Sequence, residues 1–135
     1  MYRQDNEIVI PYLIRDLAVK SFPYIHTSIH QKLRSNFLIV KEISAQDFVK
    51  LDKTKITIVD MREETEYSDN HFEKSINIPV SKFWAGIDSI PKNKPVYVFC
   101  NSGYFSQEMV ILLEERGYDA TNVLGGYKEI KNFII

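Results

Sequence analysis

The feature that most constrains the fold is an apolar run, Val96 to Phe99, that leads directly into the only cysteine of the chain, Cys100. A polar turn rich in proline precedes the run at 91–95, and apolar residues at helical spacing follow it at 104–116. A short continuous apolar run between a turn and a helix is typical of a strand that is buried on both faces. The sequence therefore predicts a central strand of a parallel sheet, with Cys100 at its carboxyl end.

Strand and helix patterns alternate on both sides of this run. A β-branched run from Ile56 to Val59 ends at Asp60, and shorter strand patterns lie at 37–40, 75–78 and 121–124. Helical patterns are predicted at 12–22, 24–35, 62–70 and 104–116, in a short segment capped by Ser44, and after Gly125-Gly126. Such alternation predicts an α/β fold, with a small, mainly parallel sheet flanked by helices on both faces.

Composition narrows the classes of function. A chain of 135 residues with 44% hydrophobic residues fits one domain with a real core. The balance of 17 basic and 18 acidic residues gives no general attraction to nucleic acid or to an anionic membrane. No apolar run is long enough for a transmembrane helix, and the charged N-terminus does not resemble a signal peptide. A single cysteine excludes an intramolecular disulfide, and we expect a cytoplasmic protein.

The residues after Cys100 favour an anion cradle. Asn101, Ser102 and Gly103 are small and turn-forming, and the next predicted helix begins near Tyr104. Successive N–H groups of such a loop, with a helix N-terminus behind them, stabilise an anion and lower the pKa of a thiol. Cys100 is then a candidate nucleophile, and the same cradle suits a persulfide anion. The alternative is that Cys100 is a small apolar residue that ends a core strand.

Four segments, in order, carry a family resemblance. They are Val59-Asp60-Met61-Arg62 with Glu66-Tyr67, His71 with Ser75-Ile76-Asn77-Ile78-Pro79, the loop from Val98 to Ser106, and Leu124-Gly125-Gly126-Tyr127. Their order and spacing resemble a rhodanese homology domain from about Ile43 to the C-terminus. The resemblance implies a rhodanese-like fold at 41–135. Residues 1–40 match no part of the family core, and their helical patterns predict an N-terminal helical extension. We expect the extension to cover the sheet, with a homodimer contact or the remnant of a lost domain as the alternatives.

The resemblance also implies a sulfurtransferase or sulfur carrier that needs no cofactor. Cys100 would take a sulfane sulfur from a donor and pass it to a thiol or protein acceptor. Asp60 and Arg62 would brace the loop, and the persulfide cradle would comprise Asn101, Ser102, Gly103, Tyr104, Phe105 and Ser106. The six-residue loop from Cys100 to Phe105 resembles that of the sulfur-transferring members, whereas the related cell-cycle phosphatases have one residue more. A catalytically silent module that binds a partner remains the alternative function.

One position departs from the pattern of the family. Active members commonly carry arginine five residues after the cysteine, where this chain has Phe105. Arginine offers a bidentate fork to the oxygens of thiosulfate, and phenylalanine offers none. We therefore expect a donor other than thiosulfate, and the missing cation disfavours phosphatase chemistry. Tyr104 and Phe105 would instead form an apolar rim for a protein or hydrophobic acceptor.

The remaining polar candidates receive structural interpretations. The resemblance implies that His71 is a structural histidine near Asp60 and not a general base. His26 and His30 lie one helical turn apart, but no acidic or thiol ligand follows at motif spacing, so we expect no metal site. Ser102 is expected to cap the helix that follows the loop.

Overall fold

The computed structural model describes residues 40–134. Several sequence predictions lie outside the described residues. They are the helices at 12–22 and 24–35, nearly all of the strand at 37–40, and the interpretation of His26 and His30. The same holds for the predicted extension at 1–40, apart from Val40, which lies in no strand. The homodimer contact assigned to that extension therefore stays a prediction.

Five parallel strands form one sheet in the order β1-β5-β4-β2-β3. The strands are β1 (Glu42–Ile43), β2 (Thr57–Asp60), β3 (Ile76–Asn77), β4 (Val96–Phe99) and β5 (Ala120–Val123). The apolar run before Cys100 is thus the central strand, as predicted, and the α/β fold with a parallel sheet is confirmed.

Within residues 40–134, four helices connect the strands and a fifth follows β5. They are α1 (Ala45–Val49), α2 (Glu64–Asp69), α3 (Phe83–Gly86), α4 (Tyr104–Glu115) and α5 (Gly126–Ile130), with 3₁₀ turns at Lys53–Lys55, Val80–Lys82 and Ile87–Ser89. The predicted cap of α1 is confirmed, since the Ser44 side chain accepts the Asp47 N–H at 3.0 Å. The C-cap of α4 is Arg116, and Gly117 follows it in the left-handed region at φ 92°, where glycine is favoured.

The two faces of β4 show why its run is continuously apolar. Side chains alternate along a strand, so Tyr97 and Phe99 share one face, which packs against the cluster around Phe48. The opposite face presents Val96 and Val98, which are fully buried. Helix α4 contacts β4 and β5 and brings its own buried apolar side chains, including Met109 and Leu113, to the core.

The register of the sheet brings the candidate residues to one edge. Asp60 pairs with Phe99 on one side and with Asn77 on the other, so these residues lie at the same level. Cys100 follows Phe99 directly and therefore lies just beyond the carboxyl edge, where ligands bind in open parallel sheets. In the described part of the chain, no helix combines the length and the apolar character that crossing a bilayer requires.

Candidate active site

Cys100 occupies the first position of a tight loop between β4 and α4. Its side chain is buried, and the residue is 5% exposed. Gly103 forms the N-cap of α4 and has a φ of 83°. Only a residue without a side chain adopts this positive φ easily. A Cβ at Gly103 would also lie 3.0 Å from the Gly125 nitrogen. The loop therefore depends on a glycine at this position for its close approach to the β5–α5 turn.

Hydrogen bonds converge on the sulfur of Cys100. The Gly103 N–H donates to Sγ at 3.2 Å. Burial by itself raises the pKa of the Cys100 thiol, but donation from the Ser106 hydroxyl and from the N–H groups of Ser106, Ser102 and Gly103 outweighs it and lowers the pKa. Among the described residues, no charged side chain contributes to this lowering. The thiolate is therefore stabilised by oriented dipoles and not by a neighbouring cation.

Two buried polar side chains support the cradle from below. Ser106 Oγ donates to Asn122 Oδ1 at 2.6 Å, and Asn122 Nδ2 donates to the Gly103 carbonyl at 3.3 Å. The single hydrogen of the Ser106 hydroxyl serves one acceptor at a time. Asn122 Oδ1 and the sulfur of Cys100 therefore compete for this hydrogen. The sequence analysis missed Asn122, although a polar residue in an otherwise buried strand was the available signal.

The carbonyl groups of the loop are held by the start of α5. The Tyr127 N–H donates to the Cys100 carbonyl at 2.8 Å, and the Lys128 N–H donates to the Asn101 carbonyl at 3.0 Å. This contact requires Gly126, because a Cβ there would lie 2.4 Å from the Cys100 oxygen and 2.6 Å from the Gly103 nitrogen. With the carbonyls held on this side, the N–H groups of the loop remain available to the sulfur.

Asp60 and Arg62 form a buried ion pair beneath this edge. Asp60 accepts from the backbone N–H, Nε and Nη2 of Arg62, and the Nη2 distance is 2.8 Å. The Arg62 guanidinium also lies 3.8 Å from the centre of the Tyr127 ring and donates to the Asn70 carbonyl. Among the described residues, the pair contacts the loop only indirectly, through Tyr127, whose backbone N–H donates to the Cys100 carbonyl. Asn77 Nδ2 adds donations to the carbonyls of Asp60 and Arg62.

Asn101 turns away from the sulfur. Its Nδ2 donates to Glu66 Oε2 at 2.7 Å, and Glu66 Oε1 accepts the Glu63 N–H as part of the capping box of α2. The Asn101 side chain therefore anchors the loop to α2 and does not line the cradle. The sequence analysis placed Asn101 in the cradle and named Glu66 only as part of a motif.

Tyr104 and Phe105 form an exposed rim beside the loop. They are 46% and 45% exposed, and their rings pack edge to face with centroids 5.9 Å apart. Leu124 follows β5, directly before the Gly125-Gly126 turn that contacts the loop, and is 44% exposed. Neither rim residue of α4 supplies a charge, so the position five residues after the cysteine presents an apolar surface to solvent.

One expectation about a single residue is wrong. Ser102 does not cap α4, because the N-cap is Gly103 and no side chain caps the helix. Ser102 instead directs its backbone N–H at the sulfur. His71 is exposed, its Nδ1 lies 2.7 Å from the Tyr67 carbonyl, and its ring stacks on Tyr67, so its contacts are structural ones with α2. Across residues 40–134, no three His, Cys, Asp or Glu side chains are grouped to hold a metal ion.

Comparisons with known proteins identify the family and the fold. The model of the rhodanese-like domain family matches residues 44–133. Thiosulfate sulfurtransferase GlpE of Coxiella burnetii is 28% identical over 68% of this chain and 85% of its own length. Thiosulfate sulfurtransferase PspE of Escherichia coli is 35% identical over 53% of this chain and 71% of its own length. The crystal structure of a rhodanese-related protein from Thermoplasma volcanium superimposes with a TM-score of 0.63 at 27% identity, covering 68% of this chain and 91% of that one.

Proposed function

The chain belongs to the rhodanese-like domain family, and from that membership we propose that it is a sulfurtransferase or sulfur carrier that forms a persulfide on Cys100. The observation that carries the proposal is the lowered pKa of a buried thiol toward which the loop directs its N–H groups. A buried cysteine with only a packing role has no need of these donors. Relatives named as sulfurtransferases support the same reaction class.

The reaction proceeds in two redox-neutral displacements. The Cys100 thiolate attacks the outer sulfur of a donor persulfide, the donor S–S bond breaks, and its electron pair leaves with the donor thiolate. A new S–S bond then joins the transferred sulfur to Sγ. The acceptor, a thiol or a protein nucleophile, attacks this terminal sulfur, and the Cys100 thiolate leaves. The loop N–H groups stabilise the anion at each stage, so no general base is required.

The donor that fits the loop is a persulfide and not thiosulfate. Thiosulfate and its leaving group, sulfite, carry two negative charges and favour a cation or a bidentate fork. Phe105 is exposed at the position where active relatives commonly carry arginine, and the described residues place no charged group among those that shift the Cys100 pKa. A persulfide transfers its sulfur without a sulfonate group and therefore depends less on such a cation.

A loading experiment with different donors tests the proposal. The full chain is incubated with a low-molecular-weight persulfide or with thiosulfate, and its intact mass is measured. We expect a gain of one sulfur atom with the persulfide, little gain with thiosulfate, and none in Cys100→Ser. Because Cys100 is the only cysteine, any stable adduct that the wild type shows and the variant lacks lies on this residue.

The exposed rim favours a second candidate function, a catalytically silent module that binds a partner. Tyr104 and Phe105, at the start of α4, and Leu124, after β5, are each exposed by more than two fifths, and none carries a charge. Aromatic side chains of this kind are typical of protein contacts. The loading experiment separates the two candidates, because a silent module gains no sulfur from any donor and shows the thiol pKa of an ordinary cysteine.

A further inference from the structure

A pocket of about 520 Å³ opens between α2 and α5, beside the Cys100 loop. Its lining includes Arg62, Glu66, Asp69, Asn101, Tyr127 and Lys131. Its volume falls in the range of small-molecule sites. Cys100 does not line it, although Asn101, the next residue in the chain, does. The pocket is therefore a separate feature that shares one wall with the loop.

Arg62 keeps two unused hydrogen-bond donors in this pocket. A guanidinium has five N–H donors. Those on Nε and Nη2 go to the Asp60 carboxylate and the Asn70 carbonyl, while Nη1 has no partner in the described structure. Arg62 is only 5% exposed, yet it lines the pocket. Nη1 is not one of the fully buried polar atoms that lack a hydrogen-bond partner. The open Nη1 of this cation can donate a charge-assisted hydrogen bond, and a carboxylate oxygen is a strong acceptor for it.

The other charges of the lining select the class of ligand. Lys131 and Asp69 are exposed, and neither forms an ion pair within residues 40–134. The charge of Arg62 is balanced by Asp60, whereas Glu66 keeps its negative charge although both of its oxygens accept neutral N–H groups. Two carboxylates, Glu66 and Asp69, and one exposed cation, Lys131, therefore remain beside the open Nη1. A dianion would meet uncompensated acidic groups, whereas a ligand with one negative and one positive group finds a partner for each.

We propose that this pocket binds the zwitterionic group of an α-amino acid. The ligand carboxylate lies against Arg62 Nη1 and the Lys131 ammonium, and the ligand ammonium lies against Asp69. The Tyr127 ring, already stacked on the Arg62 guanidinium, forms an apolar wall. The site rests on the unused donors of Arg62 and does not depend on sulfur transfer at Cys100.

Three matched probes test the ligand class with the full chain. Backbone amide and arginine Nε–H signals are followed by NMR during titration with L-alanine, N-acetyl-L-alanine and L-alaninamide. The second probe lacks the ammonium and the third lacks the carboxylate. We expect saturable shifts at Arg62 and Asn101 with L-alanine in the millimolar range, and weaker binding of the other two. No saturable shift at these residues, or N-acetyl-L-alanine binding as tightly as L-alanine, would overturn the proposal.

Two exposed side chains provide variants that keep the buried ion pair intact. Lys131→Gln should weaken L-alanine about threefold, and Asp69→Asn should do the same, as expected for exposed charge pairs. Asp69→Asn should leave N-acetyl-L-alanine unchanged, because that probe has no ammonium. Lys50→Gln and Asp88→Asn carry the same substitutions at exposed positions outside the pocket and serve as controls. Equal affinities of the pocket variants and the controls would refute the assignment.

Discussion

Replacing Gly126 with alanine should raise the pKa of the Cys100 thiol by moving its loop. An ideal Cβ at Gly126 lies 2.4 Å from the Cys100 carbonyl oxygen, 2.6 Å from the Asn101 oxygen and 2.6 Å from the Gly103 nitrogen. Contacts under 3.0 Å essentially do not occur for real Cβ atoms, so the loop must shift. The shift displaces the Gly103 N–H, which donates to Sγ at 3.2 Å. The thiolate then loses a donor that opposes the effect of burial.

Gly117 provides a matched control for the cost of the backbone conformation. Gly117 and Gly126 both have positive φ, at 92° and 62°, so alanine costs about 1–2 kcal/mol at either position. A Cβ at Gly117 meets only the Lys92 ammonium, at 3.8 Å. Gly126→Ala adds overpacking, which costs about 1–3 kcal/mol more. Its melting temperature should therefore fall by about 4–8 °C for each additional kcal/mol relative to Gly117→Ala.

The rate of alkylation of the single cysteine, measured against pH, reports the thiol pKa in each variant. Gly117→Ala should keep the wild-type profile. Gly126→Ala should titrate at higher pH, and its rate near neutral pH should fall accordingly. The measurement is made at a temperature at which thermal unfolding shows both variants to be folded. A wild-type thiol pKa in folded Gly126→Ala would refute the claim that α5 positions the loop.

Three further perturbations address the donor, the brace and the pH dependence. Phe105→Arg should raise the rate of thiosulfate:cyanide transfer sharply, whereas Tyr104→Arg, at the adjacent exposed ring, should not. Equal transfer rates in the two variants would show that the missing cation is not limiting. Asp60→Asn should lower the free energy of unfolding by about 3–5 kcal/mol in denaturant titrations, because it leaves a buried guanidinium without its charge partner. Glu64→Gln, which removes the exposed ion pair with Lys82, should have no measurable effect. Folding lowers the pKa of the Cys100 thiol. The wild type should therefore be more stable than Cys100→Ser at a pH above the ordinary thiol pKa, and this difference should disappear as the pH falls through the pKa of the folded state. A stability difference that does not change with pH would contradict this.

The position of the site could be predicted from sequence because strand ends determine it. The continuous apolar run of β4 and the β-branched run of β2 are strong local signals, and each ends at a candidate residue, Cys100 or Asp60. The carboxyl ends of parallel strands meet at one edge, and Asp60 accordingly lies opposite Phe99, the residue before Cys100. By contrast, β1 comprises only Glu42–Ile43, which is too short for any periodicity to indicate.

The supports of the loop could not be predicted, because they depend on contacts between distant segments. Gly126 was expected as a turn residue, but only the packed structure shows that its missing side chain admits the carbonyls of Cys100 and Asn101. Ser102 was expected to cap α4 because serine is a common cap, whereas the positive φ of Gly103 makes the glycine the N-cap. The open donors of Arg62 likewise depend on which carbonyl and ring its guanidinium reaches in the fold.

The most direct test of the central claim is one complete cycle of sulfur loading and discharge, followed by mass spectrometry of the peptide that contains Cys100. The protein is loaded with a low-molecular-weight persulfide, freed of donor, and then mixed with an excess of a thiol acceptor. We predict that the Cys100 peptide gains one sulfur atom and returns to its original mass as an equal amount of acceptor persulfide forms. A peptide that gains no sulfur, or gains it without passing it to the acceptor, would contradict the assignment of Cys100 as a sulfur-carrying nucleophile.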